Sequence, residues 1–381
     1  MEKIKILNPS DKQDFKSRTS FPGEKGNPFD KILHFLEFVN KIPTFIYLFL
    51  LVFSSGILTG FHLDQWIILL VFTTFDLILI AFLPILKISF GPFKSQVFLL
   101  SILRSIFTWL PFEAFIIFQI LGTLLVIYGF FKEPSTVKIS TKSMNFGQSK
   151  KKFRFIHLSD IHLEELGIRE LKIKKIIKEN PPQFILFTGD FLNLSNNKNP
   201  NSIKQIIEFF NLLSSYAPIF YVSGSPAVDL TETLNSIEPH LMATRINNSN
   251  HIFYLNDIYI NLIGLTCTHK PHIDIINLSS LVREDMINIL LYHSPDLIYE
   301  IKQEHKINLM LSGHTHGGQI RLPFVGALFT GSLYGRKLQS GLYKIHDTLL
   351  SISRGIGLEG LGAPRVRFLC QPEIIDWIIE L

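Results

Sequence analysis

Cysteine is scarce. Cys267 and Cys370 stand far apart in 381 residues and form no CxxC pattern. That argues against a disulfide framework and favours a reducing compartment. The first thirty residues lack an apolar core, so no cleavable signal peptide is expected. Repeats and low-complexity stretches are missing as well. The charge excess is only +5, and the basic residues gather beside an apolar block. Such a balance suits a membrane surface better than a nucleic-acid groove, and no nucleic-acid binding is expected.

Charge is absent altogether from residues 42–63 and 114–131. Between them, 66–86 holds a single Asp76 and 95–112 a single Arg104. A membrane span needs roughly 20 apolar residues, about 17 at least, so four spans are expected within 42–131. Residues 132–154 carry seven basic side chains (Lys132, Lys138, Lys142, Lys150, Lys151, Lys152, Arg154), and Lys87 and Lys94 lie between the inner spans. The connections at 61–65 and 111–113 carry no Lys or Arg. The basic ends place both termini and everything after 150 in the cytoplasm. Four segments follow: a cytoplasmic tail at 1–41, a multi-pass domain in the cell membrane at 42–131, a basic linker at 132–150, and a soluble domain at 151–381. Asp76 and Arg104, opposite charges in adjacent spans, read as a pair that fixes helix packing, or as an ion path.

After 151 the pattern turns to short β-rich runs separated by helical stretches. "KKFRFIHLSD", "QFILFTGD", "PIFYVSG", "IYINLIGL", "NILLYH" and "INLMLSGH" read as strands, with helices at "IRELKIKKIIKEN", "NSIKQIIEFFNLL" and "PDLIYEIKQ". Further strands follow in "GLYKIH", "TLLSIS" and "RVRFLC". Alternation followed by strand-rich closure implies a layered α/β domain with two sheets.

The polar punctuation carries the chemistry. Four strands end in ligand-capable residues: Asp160 and His162 in "SDIH", Asp190 in "TGD", His293 in "LYH", His314 and His316 in "SGHTH". Ligands collect at the carboxyl ends of strands in open α/β sheets. Residues two apart in extended backbone point to one side, so each DxH or HxH pair can converge on one centre. Two Asp and four His, without thiolate, suit a pair of Mn, Fe or Zn ions rather than Ca. His157, His240, His251, His269, His272, His305 and His346 lack this context and read as surface or ordinary structural residues.

With these residues in place, the soluble half resembles the calcineurin-like metallophosphoesterases, whose pattern is D-x-H, G-D-x-x-D, G-N-H-D/E, a single His, and G-H-x-H. It is most similar to a membrane-anchored bacterial branch, through "SGHTHGGQIRLP" at 312–323, "YHSPD", "GRKLQSGLY" and "SRGIG". The resemblance covers roughly 150–381. It implies a four-layer α/β/β/α sandwich with a dinuclear centre at its edge. It also implies hydrolysis of phosphoric esters or anhydrides by two divalent metal ions. One ion would take Asp160, His162 and His316, the other His293 and His314, with Asp190 bridging them. Catalysis is expected to rest on Asp190 and His293.

Two departures stand out. Asn193 occupies the second Asp position of G-D-x-x-D, a place behind the ligands rather than among them. "GSPA" at 224–227 replaces G-N-H-D/E. Ser225 becomes a weak neutral ligand where the family has Asn, and Pro226 removes the His that assists the leaving group. General acid–base assistance is worth about 10²–10⁴-fold, so a substrate with a good leaving group is expected: a phosphodiester or pyrophosphate, small or lipid-linked. The family includes UDP-diacylglucosamine pyrophosphohydrolases, though no residue here specifies that substrate. The competing readings are a metal-binding but silent membrane scaffold or sensor, and a protein whose spans do the main work. Whether Asp229 or His269 takes the place of the missing acid is left open.

Overall fold

A computed structural model describes residues 3–18, 28–146, 151–255 and 258–380. Two mixed sheets form the centre. One runs, in order, through strands Lys138–Asn145, Glu373–Glu380, Lys152–Leu158, Phe184–Phe187, Ile219–Tyr221 and Thr244–Arg245. The other runs through Lys5–Ile6, Gly341–Ile345, Thr348–Ile352, Leu309–Ser312, Ile287–Leu291, Ile258–Gly264 and Ser249–Leu255. The inner strands are parallel and buried throughout, as "FILF" and "INILL" show. Strands covered on both faces need continuous apolar runs rather than alternation.

Phe155, Trp377, Leu262, Ile289 and Leu309 interleave between the sheets. Helices cover the outer face of the first sheet and shorter turns cover the second, which completes the mixed α/β sandwich. Most expected elements form, with two exceptions. "PDLIYEIKQ" makes only a 3₁₀ turn, Pro295–Tyr299, because Asp296 there accepts from Ser332 Oγ and Leu333 N. "RVRFLC" stays irregular apart from a bridge at Phe368, since Arg365 and Arg367 spend their guanidinium donors on nearby carbonyl and carboxylate oxygens.

The tail and the linker are more structured than the sequence suggests. Lys5–Ile6 pairs in parallel with Tyr343–Lys344, and Lys138–Asn145 pairs along the whole of Glu373–Glu380. Lys150 of the basic run lies outside the described residues.

The apolar block folds as helices α1 (Pro28–Lys41), α2 (Thr44–Leu58), α3 (Leu63–Phe82), α4 (Phe93–Ser105) and α5 (Phe112–Ile127), the last continuing to Lys132 through a π turn. Among the described residues, two helices are long and apolar enough to cross a membrane: Leu63–Phe82, and Phe112–Lys132. A third arises only if α1 and α2, bent by 112°, count as one broken span. Four full spans do not emerge, because prolines interrupt the apolar runs. Pro43, Pro92 and Pro111 stand at helix starts and leave α2 with 15 residues and α4 with 13.

The helices bury their polar groups and expose their apolar ones. Thr73, Asp76, Arg104 and Gln119 are buried, whereas Phe49, Ile67, Val71 and Leu124 are exposed. Arg104 donates to both Asp76 oxygens at 2.7 and 2.8 Å, and to Gln119 and Thr123. Removing one member of a buried pair costs about 3–5 kcal/mol, whereas replacing both with apolar residues can be neutral. Asp76→Leu is therefore expected to destabilise strongly and Asp76→Leu with Arg104→Met far less, as read by thermal unfolding in detergent.

The helical block docks on the sandwich through hydrogen bonds. Ile168 N and Arg169 reach the carbonyls of Lys87 and Ile88, Arg367 N reaches Gly129 O, and Arg365 N reaches Gln96 Oε1.

Candidate metal centre

Six loops leave the carboxyl ends of three neighbouring strands in each sheet and meet at one rim. From the first sheet come Asp160 and His162, Asp190, and Ser225. From the second come His269, His293, and the pair His314 and His316. The sequence reading places the DxH and HxH pairs on extended backbone, but the structure does not. Asp160, His162, Asp190, His314 and His316 all adopt left-handed φ, between 42° and 67°. Such backbone is uncommon for residues with side chains and clusters at functional sites. Close approach makes it feasible: a Cβ on Gly313 would collide with Ser159 and Asp160, and one on Gly224 with Asp190.

Asp160, His162 and His316 offer ligand atoms within 4.8 Å of one another, and so do Asp160, Asp190 and His293. Asp190 Oδ2 lies 3.3 Å from His162 Nε2 and 3.3 Å from His293 Nε2, between the two halves. Its Oδ1 accepts the Ser225 N–H at 2.7 Å. His314 joins neither group. It stands beside His293, with ring centroids 5.0 Å apart, and its Nδ1 lies 3.4 Å from Ser225 Oγ.

A calcineurin-like phosphoesterase family model matches residues 153–318, the stretch that supplies every one of these side chains. This chain carries a calcineurin-like phosphoesterase domain. The domain, together with relatives named as a pyrophosphatase and a phosphodiesterase, supports a hydrolase of phosphoric esters. The uncharacterized metallophosphoesterase YkuE of Bacillus subtilis is 28% identical over 256 residues, 60% of this chain and 79% of that protein. The UDP-2,3-diacylglucosamine pyrophosphatase LpxG of Chlamydia trachomatis is 25% identical over 64% of this chain and 89% of its own length. The phosphodiesterase YaeI of Escherichia coli is 23% identical over 58% and 80%.

The donor set of the phosphoesterase domain fits divalent cations. His162 Nε2 and His316 Nε2 face each other at 3.0 Å, with carboxylate oxygens of Asp190 and Asp160 at 3.3 and 3.8 Å. Buried imidazole nitrogens and carboxylates that turn towards one another need a cation or shared protons among them. The outer nitrogens are spoken for. His293 Nδ1 donates to Thr188 O at 2.7 Å and His314 Nε2 to Gly331 O at 3.1 Å, which aims the opposite nitrogens at the site.

Electrostatics follow from this crowding. Burial alone would lift the Asp190 carboxyl, but His293 and His162 outweigh it and hold Asp190 well below the usual carboxylate range. Against their own burial, His293 is raised well above its ordinary value by Asp190 and Asp160, and His162 is raised to about 9 by Asp190. Burial and neighbouring imidazoles push His314 and His316 well down.

Other residues take up places that the sequence reading left open or misjudged. Asn193 lies away from the ligands: its amide donates to Leu358 O and its carbonyl accepts Ser195 N. Asp229 is a brace and not a proton donor at the site, because it accepts the backbone N–H groups of Asp190, Phe191 and Gly224. His269, set aside as structural, lies at the rim with Nε2 3.1 Å from Ser225 Oγ. Burial lowers its pKa. A signal is present, since "CTH" lies in the loop after the strand "IYINLIG", though further past its end than the other ligands are past theirs.

Pro226 is exposed and, with Ala227, lines the cavity that opens on the site. The same cavity is also lined by apolar side chains, among them Leu33 of α1, Ile320, Leu328, Phe329 and Val366.

Proposed function

We propose that this chain is a membrane-embedded dinuclear phosphoesterase that cleaves a phosphodiester or pyrophosphate bond of a lipid-linked substrate. The observation that carries the reading is one cavity lined both by Asp190, His162, His269, His314 and His316 and by apolar side chains of α1 and the 320–329 hairpin. Ile320 and Val366 belong to the same apolar cluster as Phe130 and Ile88 of the helical block, so this part of the lining adjoins those helices. The hairpin tip, Phe324, is fully exposed, with Val325 and Leu328 next to it. Exposed apolar surface of this kind marks a membrane or lipid contact. The LpxG relative, a UDP-2,3-diacylglucosamine pyrophosphatase, points the same way.

The inverted burial of the helices supports a bilayer around them. In this reading 42–131 is the multi-pass membrane domain, and the soluble domain at 151–381, joined by strands 5–6 and 138–145, faces the cytoplasm on the side of the basic residues. Asp160, His162 and His316 would hold one ion, His293 and His314 the other, with Asp190 shared and Ser225 a weak ligand. Mn, Fe or Zn suits this donor set. Two such ions supply Lewis-acid polarisation of phosphoryl oxygens and an acidified water. The chain's own residues position the phosphoryl group at the rim, keep Asp190 ionised, and admit an apolar tail along the hairpin. A metal-binding scaffold without turnover is the second reading, favoured by Pro226, which offers no proton to a leaving group.

The test uses the full chain in detergent micelles or nanodiscs. Diacyl pyrophosphates and aryl diesters are expected to be cleaved, alkyl diesters poorly, and a chelator is expected to stop turnover until Mn or Zn is restored. Metal uptake with no cleavage of any of these would leave the scaffold reading standing.

A further inference from the structure

We propose that His269 is a ligand of the second cation, which then binds three imidazoles, from His269, His293 and His314, together with Asp190. The inference rests on the dinuclear reading above. Three imidazole nitrogens surround one point: His293 Nε2 and His269 Nε2 each lie 3.1 Å from Ser225 Oγ, and His314 Nδ1 lies 3.4 Å from it. Donors held at about 2.0–2.1 Å from one ion stand roughly 2.9–3.4 Å apart, depending on the angle between them. The three nitrogens thus converge on the Ser225 hydroxyl at distances that hydrogen bonds and shared coordination both allow, and an ion bound there would draw the rings together.

Topology places His269 there by the same logic as the other ligands. Its strand, Ile258–Gly264, pairs in parallel with Ile287–Leu291, and Gly264 is in register with Leu291. His269 and His293 therefore leave adjacent strands at the same level. His269 is buried, its ring centroid is 4.7 Å from that of His314, and its Nδ1 faces Cys267 Sγ at 3.8 Å, which turns Nε2 inward. It also shares the left-handed backbone of five of the six sequence-predicted ligands, at φ 58°. A set of three nitrogens and a carboxylate favours Zn or Co over Mg or Mn at this position.

Cobalt titration of the metal-free full chain in detergent tests the assignment, with bound cobalt counted by mass spectrometry and its ligand field read from visible absorption. Two ions per chain are expected in the wild type. His269→Ala should keep the first and bind the second about 10-fold or more weakly, with altered visible bands, and added imidazole should restore them. His269→Gln keeps a hydrogen bond to Ser225, so a brace would survive it and a ligand would not. Wild-type affinity and bands in His269→Gln, or in His269→Ala, overturn the proposal. If His293→Ala loses one ion in the same series, the dinuclear reading survives that result. A wild type that takes up fewer than two ions overturns both. His272→Ala, a change outside the site, is the control for unrelated loss of binding.

Discussion

Asp190→Asn is expected to lower cation affinity and turnover by about 10²–10⁴-fold while leaving the fold in place. The carboxylate is the group that the two halves of the site share, with Oδ2 3.3 Å from both His162 and His293. Asn keeps the shape but loses the charge, which makes hydrogen bonds and ion contacts roughly twice as strong, and a loss of 10²–10⁴-fold corresponds to about 3–5 kcal/mol at 1.36 kcal/mol per factor of ten. Two features predict that the backbone will tolerate the change. Asn is one of the few side chains that accept a left-handed conformation, which Asp190 adopts at φ 62°. Its amide oxygen can also keep the hydrogen bond from Ser225 N, 2.7 Å in the native chain. Bound metal by mass spectrometry, kcat on an aryl diester, and thermal unfolding form the measurement. Two bound ions with native turnover would remove Asp190 from its bridging place. A collapsed melting temperature would instead show that the carboxylate holds the loops.

Much of this site is legible in the sequence, because buried parallel strands announce themselves as short apolar runs and the residue after each run is chemically distinct. "FILFTGD" and "INLMLSGH" are examples in which strand, turn glycine and ligand follow one another directly. What the sequence hides is backbone conformation. Nothing in "SDIH" or "GHTH" signals left-handed turns at Asp160, His162, His314 and His316, so extended geometry was the natural expectation. Long-range pairing is hidden as well. Two residues, Lys5 and Ile6, are too short a run to read as a strand, and only Tyr343 and Lys344 across the fold make them one. His269 is hidden for a different reason: it lies five residues past the end of its strand, whereas His293 lies two past its own. In the helical block, hydropathy reported apolar length but not the proline breaks that shorten α2 and α4.

Pro226→His is expected to raise turnover of alkyl phosphodiesters by about 10²-fold and to leave aryl diesters nearly unchanged. Pro226 is exposed on the wall of the cavity that contains the cluster, so a side chain at 226 has room to face a bound substrate. Proline itself offers neither a donor nor a titratable group. An imidazole there could hand a proton to the departing oxygen, an effect worth about 10²–10⁴-fold when the leaving group is basic. A phenolate or a nucleotide phosphate departs without that help, which is why the gain should depend on the leaving group. Ser225 is best left in place, because its hydroxyl sits among His269, His293 and His314. Adding Ser225→Asn would crowd those rings, so the double substitution is expected to gain less than Pro226→His alone. The measurement is kcat/KM across esters of graded leaving-group pKa. The dependence should flatten in Pro226→His, and an equal gain for all esters, or none, would show that proton donation at 226 is not what the native loop lacks.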